Sequence, residues 1–214
     1  MEEKSFSRQE IEALENRYRA QLINSLSGAK SANLIGTQNK EQQTNLAIIS
    51  SVVHLGSNPA LFGFIQRPTT VERHTFENIV ETEYYTINQI HKDIYRAAHQ
   101  SSARYERNES EFEKVGLSEE YKSDFFAPFV KESHIKLGLK LEEIVDLKIN
   151  GTKLVIGSVQ QLYIPENALA PDGFVNLAAT DALAITGLDT YNSLTVLERL
   201  SYAKPDLPLT NIEI

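Results

Sequence analysis

Between residues 7 and 27 apolar side chains recur every three or four positions, at Ile11, Leu14, Tyr18, Leu22 and Leu26. That spacing predicts an amphipathic helix over 7–27. Ser7 and Glu10 stand at capping-box spacing, and Phe6 and Ile11 at the positions of a hydrophobic staple. The stripe is expected to pack, over a barrel end or against a partner subunit. From residue 33 the period shortens, and 33–38, 44–54 and 60–66 read as β-strands. The connectors 39–43 and 56–59 are rich in turn formers. Ile48 and Ile49 break strict alternation, as in a strand buried on both faces or carrying a bulge.

A short helix is expected over 75–82, with Phe76, Ile79 and Val80 on one side, and a strand over 84–90. Residues 92–131 are polar, charged and weakly periodic. They read as an insertion or lid between strands, with short helices at 95–101 and 118–124, because their own core would be too small for a domain. Residues 135–149 and 152–164 alternate around Asn150-Gly151, the preferred dipeptide of a two-residue type I′ hairpin turn. Asn150-Gly151-Thr152 also fits a glycosylation sequon, but the turn accounts for the same residues. The tail predicts a strand at 182–188, a helix at 194–200 and an extended proline-rich end. About six strands joined mostly by short turns imply antiparallel pairing, and a closed or partly closed barrel removes their edges. The expected architecture is one domain over 1–214, mainly β, with peripheral helices.

Composition narrows the chemistry. The 214 residues are 41% hydrophobic, enough for a sizeable core, and contain no cysteine. Disulfides, thiolate metal sites and a cysteine nucleophile are excluded. The charged start, MEEKSFSRQE, has no apolar signal segment, and no run reaches the roughly 18–20 apolar residues that span a bilayer. The expected location is cytoplasmic, with no membrane partner. A formal charge of −8 argues against a nucleic-acid partner, which needs a concentrated basic face.

Familiar catalytic signatures are missing. No G-x-G-x-x-G follows a strand, and there is no P-loop and no G-x-S-x-G elbow. His54, His74, His91, His99 and His134 form no tight ligand spacing, and His54 is expected to pack. The adjacent pairs Glu119-Glu120 and Glu142-Glu143 read as solvated faces. No catalytic residue and no metal ligand is therefore assigned.

What remains is an ordered series of small hydroxyls, amides and arginines near the ends of apolar strands. It comprises Thr44-Asn45, Ser50-Ser51, Asn58-Pro59, Arg67-Pro68-Thr69-Thr70, Arg73-His74-Thr75 and Glu77-Asn78-Ile79. The series resembles the flavin reductase-like family of FMN-binding split barrels, over about residues 30–165. It departs from the family's commoner form at Asn58-Pro59-Ala60, where a proline pair is frequent, and beside Arg67, where a serine is often found. The resemblance implies a six-stranded antiparallel split β-barrel of Greek-key type, FMN as cofactor, NADH or NADPH as electron donor and a homodimer with small-molecule redox partners. It places Asn45, Ser50, Ser51 and Val52 beside the isoalloxazine ring. The chemistry agrees: a phosphate wants an arginine, hydroxyls and free backbone N–H groups at a helix start. Arg67, Thr69, Thr70 and Thr75 supply those types. Read alone, Ser50 and Ser51 are ordinary strand residues, Arg67 a surface arginine and Thr75 a helix cap. The rival functions on this barrel are a non-enzymatic FMN electron carrier, a cofactor-free interaction module, and a pyridoxamine-phosphate-oxidase-like enzyme. The last needs a second basic cluster, for which there are only scattered candidates such as Arg104 and Arg107.

Overall fold

The computed structural model describes residues 1–213. Two short helices, α1 (Arg8–Ala13) and α2 (Asn16–Leu26), lead into strands β1 (Lys30–Ser31), β2 (Asn33–Gln38), β3 (Thr44–Ile49), β4 (Val53–Ser57) and β5 (Ala60–Gln66). Helix α3 (His74–Thr82) and strand β6 (Tyr84–Gln89) follow, then α4 (Tyr95–Gln100), α5 (Glu111–Val115), β7 (Glu119–Glu120) and β8 (Phe129–Val130). The long strands β9 (Lys136–Leu147) and β10 (Thr152–Tyr163) precede the final pair, β11 (Leu183–Thr186) and β12 (Thr190–Ser193). Among the described residues no helix is long and apolar enough to cross a membrane.

Seven strands form one antiparallel sheet in the order β3-β2-β6-β9-β10-β5-β4. The count is one more than expected because 44–54 is two strands, interrupted at residues 50–52. Those three residues join the two edges of the sheet. With so short a link the sheet curls until its edges meet at that corner, giving a barrel split along the β3/β4 seam. At the seam the Ser51 hydroxyl accepts from the Ile65 N–H at 3.1 Å and donates to the Ile65 carbonyl at 3.3 Å. Val53 pairs with Gly63 in the β4/β5 ladder, so Ser51 faces Ile65 in continued register. Its side chain takes over where the backbone leaves the ladder.

Alternation along the strands fills the barrel on one side and builds a second layer on the other. Ile35, Phe64, Ile79, Tyr85, Ile87, Leu139 and Val155 form the interior. Leu34, Leu46, Ile90, Ile94, Phe112, Val130 and Leu183 form an outer cluster, where α4, α5 and β11 cover β2 and β3. Strand β2 is buried along its whole length. Ile48 packs against the outer cluster and Ile49 against the interior one, which accounts for their broken alternation.

Four local expectations are corrected. The 7–27 helix is two helices: its capping box at Ser7 and Glu10 forms, but Leu14 is extended and the Glu15 carboxylate caps the second helix. Neither helix buries a residue, and Tyr18 and Leu26 of the stripe are 51% and 71% exposed. The β9–β10 hairpin closes with four residues, 148–151, because β9 pairs Leu147 with Thr152. Gly151 alone is left-handed, and the Asn150 side chain accepts from the Thr152 N–H and hydroxyl. Residues 118–124 form no helix. β7 pairs with β8, and Ser123 and Asp124 both have positive φ, which no right-handed helix accepts. Residues 194–199 carry no helix or strand, and the chain turns back through a bridge between Leu200 and Asn211.

One contact inside the barrel is tight enough to test. The Tyr85 hydroxyl is buried without a hydrogen-bond partner, and burial pushes its pKa up. It sits where a Cβ on Gly157 would come within 2.3 Å of the oxygen. Tyr85→Phe removes an unsatisfied polar group, so it is expected to hold or raise stability by about 1 kcal/mol. Gly157→Ala overpacks the same spot and is expected to cost about 1–3 kcal/mol. Urea unfolding of both variants checks the pair.

Candidate functional site

The seam brings several of the expected residues into one region. Residues 50–52 carry the chain from β3 to β4, and their backbone N–H and C=O groups have no hydrogen-bond partner among the described residues. Val52 turns its side chain toward the barrel interior beside Ile49, Phe62 and Phe76. Ser51 is committed to Ile65, as described above, whereas Ser50 is half-buried and its hydroxyl is free. What this corner offers to a ligand is therefore mainly backbone.

From the end of β5, residues 67–73 run to α3, which is held on the opposite side of the seam. Two hydrogen bonds fix the helix there: Asn45 Nδ2 on β3 donates to Thr75 Oγ1 at 2.8 Å, and Asn78 Nδ2 donates to Thr37 Oγ1 on β2 at 3.1 Å. The loop thus bridges the two edges of the barrel. Arg67, Thr69 and Thr70 lie on it, exposed, and make no side-chain hydrogen bond or ion pair among the described residues. Arg73 donates through Nε to the Pro68 carbonyl at 3.4 Å.

The start of α3 differs from expectation. Its N-cap is Arg73, not Thr75, and no side chain caps it. Thr75 lies in the first turn with its hydroxyl already accepting from Asn45, and that hydroxyl keeps a proton to donate. The Arg73 N–H donates to Glu77 Oε1 at 3.0 Å, leaving the next three N–H groups, of His74, Thr75 and Phe76, without an acceptor among the described residues. Uncapped helix N–H groups, with a free arginine and two free hydroxyls on the loop that leads to them, are donor types that suit an anion. Asn45 is buried and serves by positioning Thr75.

His54 does not pack into the core. It is exposed on β4, edge-on to Phe62 at 5.7 Å between ring centroids. Arg107 is committed to Glu77, whose carboxyl burial would raise but the Arg73 N–H and Arg107 hold low. Arg104 is exposed and makes no side-chain hydrogen bond or ion pair among the described residues.

No sequence pattern indicates how 92–131 engages this region. Glu111 of α5 reaches the edge of β3, where its buried carboxylate accepts from the Leu46 N–H at 2.9 Å. Thr44 bonds both Ser110 at 2.7 Å and Glu119 at 2.6 Å. The insertion therefore clamps the β3 edge and α3 from outside. These partners are 65 or more residues apart in sequence, beyond the reach of any local signal.

Burial raises the Glu111 pKa, against the opposing effect of the Leu46 N–H and its own backbone N–H. A carboxyl whose pKa rises on folding contributes most below its unfolded value near 4.5 and loses that contribution as pH rises. Glu111→Gln keeps an acceptor for Leu46 without the buried charge. Its melting temperature is expected to equal or exceed that of the parent at pH 7, with the difference shrinking toward pH 4.5. Glu111→Ala, which strands the Leu46 N–H, is expected to cost about 1–3 kcal/mol.

Comparison with known proteins agrees with this geometry. The model of the flavin reductase like domain matches residues 29–180. A split-barrel protein of Shewanella frigidimarina NCIMB 400, assigned as a candidate flavin reductase, is 56% identical over 94% of this chain and 100% of its own, with a TM-score of 0.91. Two structures share the fold at lower identity. Nitrilotriacetate monooxygenase component B from Bacillus cereus is 20% identical, covering 94% of this chain and 100% of its own, with a TM-score of 0.81. The 2-nitrobenzoate 2-nitroreductase of Pseudomonas fluorescens is 22% identical, covering 96% and 98%, with a TM-score of 0.80. A search among curated proteins found no significant match. The family match over most of the chain, on a barrel split at the corner where these residues gather, shows that the protein belongs to the flavin reductase-like domain family.

Proposed function

We propose that this protein is a cytoplasmic, homodimeric FMN-binding oxidoreductase that takes electrons from NADH or NADPH and delivers them to a small-molecule acceptor. The observation that carries the reading is the uncapped start of α3, with Arg67, Thr69 and Thr70 free on the loop before it and unpaired backbone at residues 50–52 across the seam. A phosphate suits the first set and the polar edge of a flat heteroaromatic ring suits the second. Bound flavin would supply the hydride and electron chemistry.

The residues' own tasks are binding and orientation. Arg67 supplies charge to a phosphate, Thr69 and Thr70 supply hydroxyls, and the α3 N–H groups supply a dipole already aimed at an anion. Asn45 holds the Thr75 hydroxyl in place, so that donor is set before a ligand arrives. Ser51 holds the corner rigid by bonding β5, which leaves the backbone of its neighbours presented for contact. No side chain needs to act as acid or base for hydride transfer.

Two measurements test the proposal. The purified protein, soaked with FMN and desalted, is expected to keep the visible flavin bands and to bleach them on adding NADH or NADPH under argon. Retained bands that neither nucleotide bleaches would mean an electron carrier in place of a reductase, and a colourless protein would sink flavin binding. Arg67→Ala is expected to weaken FMN binding about ten- to hundredfold, the loss of one charge-assisted hydrogen bond. Unchanged affinity would remove Arg67 from the site.

A further inference from the structure

The insertion over 92–131 reaches α3 through one ion pair. Arg107 Nη1 meets Glu77 Oε2, and among the described residues no other hydrogen bond or ion pair joins the two segments. The second oxygen of the same carboxylate, Glu77 Oε1, accepts the Arg73 N–H at 3.0 Å. Arg73 is the N-cap of α3. The carboxylate is therefore held from two sides, by the insertion and by the residue that starts its own helix.

That position sets an electrostatic problem. The three N–H groups that follow the one Glu77 takes, those of His74, Thr75 and Phe76, have no acceptor among the described residues. A carboxylate near a helix start is drawn to the same positive end that an anionic ligand would use. Loose, the Glu77 side chain competes for those donors, and its unneutralised charge repels a phosphate from them. Among the described residues, the cation paired with Glu77 is Arg107. Arg73 donates its Nε to the Pro68 carbonyl at 3.4 Å, and His74 lies 3.7 Å from Glu72.

The segment that carries Arg107 is fixed in place. Residues 106–109 close a turn, in which the Glu109 N–H donates to the Glu106 carbonyl at 2.9 Å and the Glu106 N–H to Glu109 Oε2 at 3.2 Å. Just beyond it, Ser110 and Glu111 bind Thr44 and the Leu46 N–H of β3, at 2.7 and 2.9 Å. Asn45, between those two strand residues, holds Thr75 of α3. Three consecutive residues of β3 thus register both the insertion and the helix start. Arg107 and Glu77 meet because each stands two or three residues from one of those anchors.

We infer that Arg107 is a positioning residue for the flavin phosphate: it holds the Glu77 carboxylate on the Arg73 N–H and neutralises it, which keeps the next three N–H groups of α3 open to an anion. The inference rests on the flavin site proposed above and gives the insertion a part in it. Arg107 acts through Glu77 and not on the ligand. Its removal therefore harms binding only while residue 77 is charged, and only for a flavin that carries a phosphate.

Fluorescence titrations with FMN and with riboflavin, which has the same ring and no phosphate, test this. They are made on the full chain and on its variants Arg107→Ala, Arg107→Lys, Glu77→Gln and Arg107→Ala with Glu77→Gln. Arg107→Ala is expected to weaken FMN binding about three- to tenfold and to leave riboflavin binding unchanged. Arg107→Lys keeps the charge and is expected to stay near the parent. Adding Glu77→Gln to Arg107→Ala is expected to restore FMN affinity, which a merely structural role for the ion pair would not produce. An Arg107→Ala chain that binds FMN as tightly as the parent, a loss that riboflavin shares, or a loss that Glu77→Gln leaves unrepaired would each overturn the role of Arg107 while the flavin site stands. A parent that binds neither flavin would overturn the site itself, and the inference with it.

Discussion

The structure depends on a three-residue link. Strands β3 and β4 are the two edges of a seven-stranded sheet, yet they are consecutive in the chain. A flat sheet of that width would hold its edges far further apart than three residues can reach, since neighbouring strands are about 4.8 Å apart. Curling is therefore imposed by connectivity, and the interior side chains then fill the enclosed volume. The Ser51 hydroxyl completes the corner by bonding both backbone groups of Ile65, so the turn away from the ladder leaves neither one stranded.

The split creates the binding opportunity as a by-product. Where a ladder ends and the chain crosses between edges, backbone groups lose their strand partners. Elsewhere such groups would be a liability. On the outer edge of β3 the problem is answered by the insertion, with Glu111 taking the Leu46 N–H. At residues 50–52 it is left open, next to a helix start that is also uncapped. Unpaired strand-end backbone and uncapped helix N–H groups are the donor types that suit the phosphorylated, flat, hydrogen-bonding ligand proposed above.

The insertion stays in place chiefly through apolar burial. Phe112 is fully buried between α5 and the outer face of the barrel, worth about 1.5–3 kcal/mol for the side chain. The Arg107–Glu77 pair is half exposed and contributes at most about 1 kcal/mol. The Lys136–Glu120 pair is better shielded, and Lys136 also donates to the Lys131 carbonyl at 3.0 Å, so it fixes the position of the β7–β8 ribbon rather than adding much stability. Ion pairs here select a register, and the hydrophobic layer supplies the adhesion.

Period-two alternation by itself determined β2 and β5 to the residue, and the seven-strand sheet differs from the six-strand expectation only by the break inside 44–54. The helix at α3 and the long β9–β10 hairpin were equally legible, because each forms from contacts close in sequence. The order of small hydroxyls and arginines identified the family. Sequence could not show that Ser51 would spend its hydroxyl on Ile65, that Asn45 would orient Thr75, or that Arg73 and not Thr75 would begin the helix. Nor could it show that residues 118–124 and 194–200 would form no helix, since β7 pairs with β8 and Leu200 bridges to Asn211 instead. The Ser51–Ile65 and Asn45–Thr75 bonds join residues 14 and 30 positions apart. Local propensity carries no information about them, and only closing the barrel decides which polar groups are already paired and which are left for a ligand.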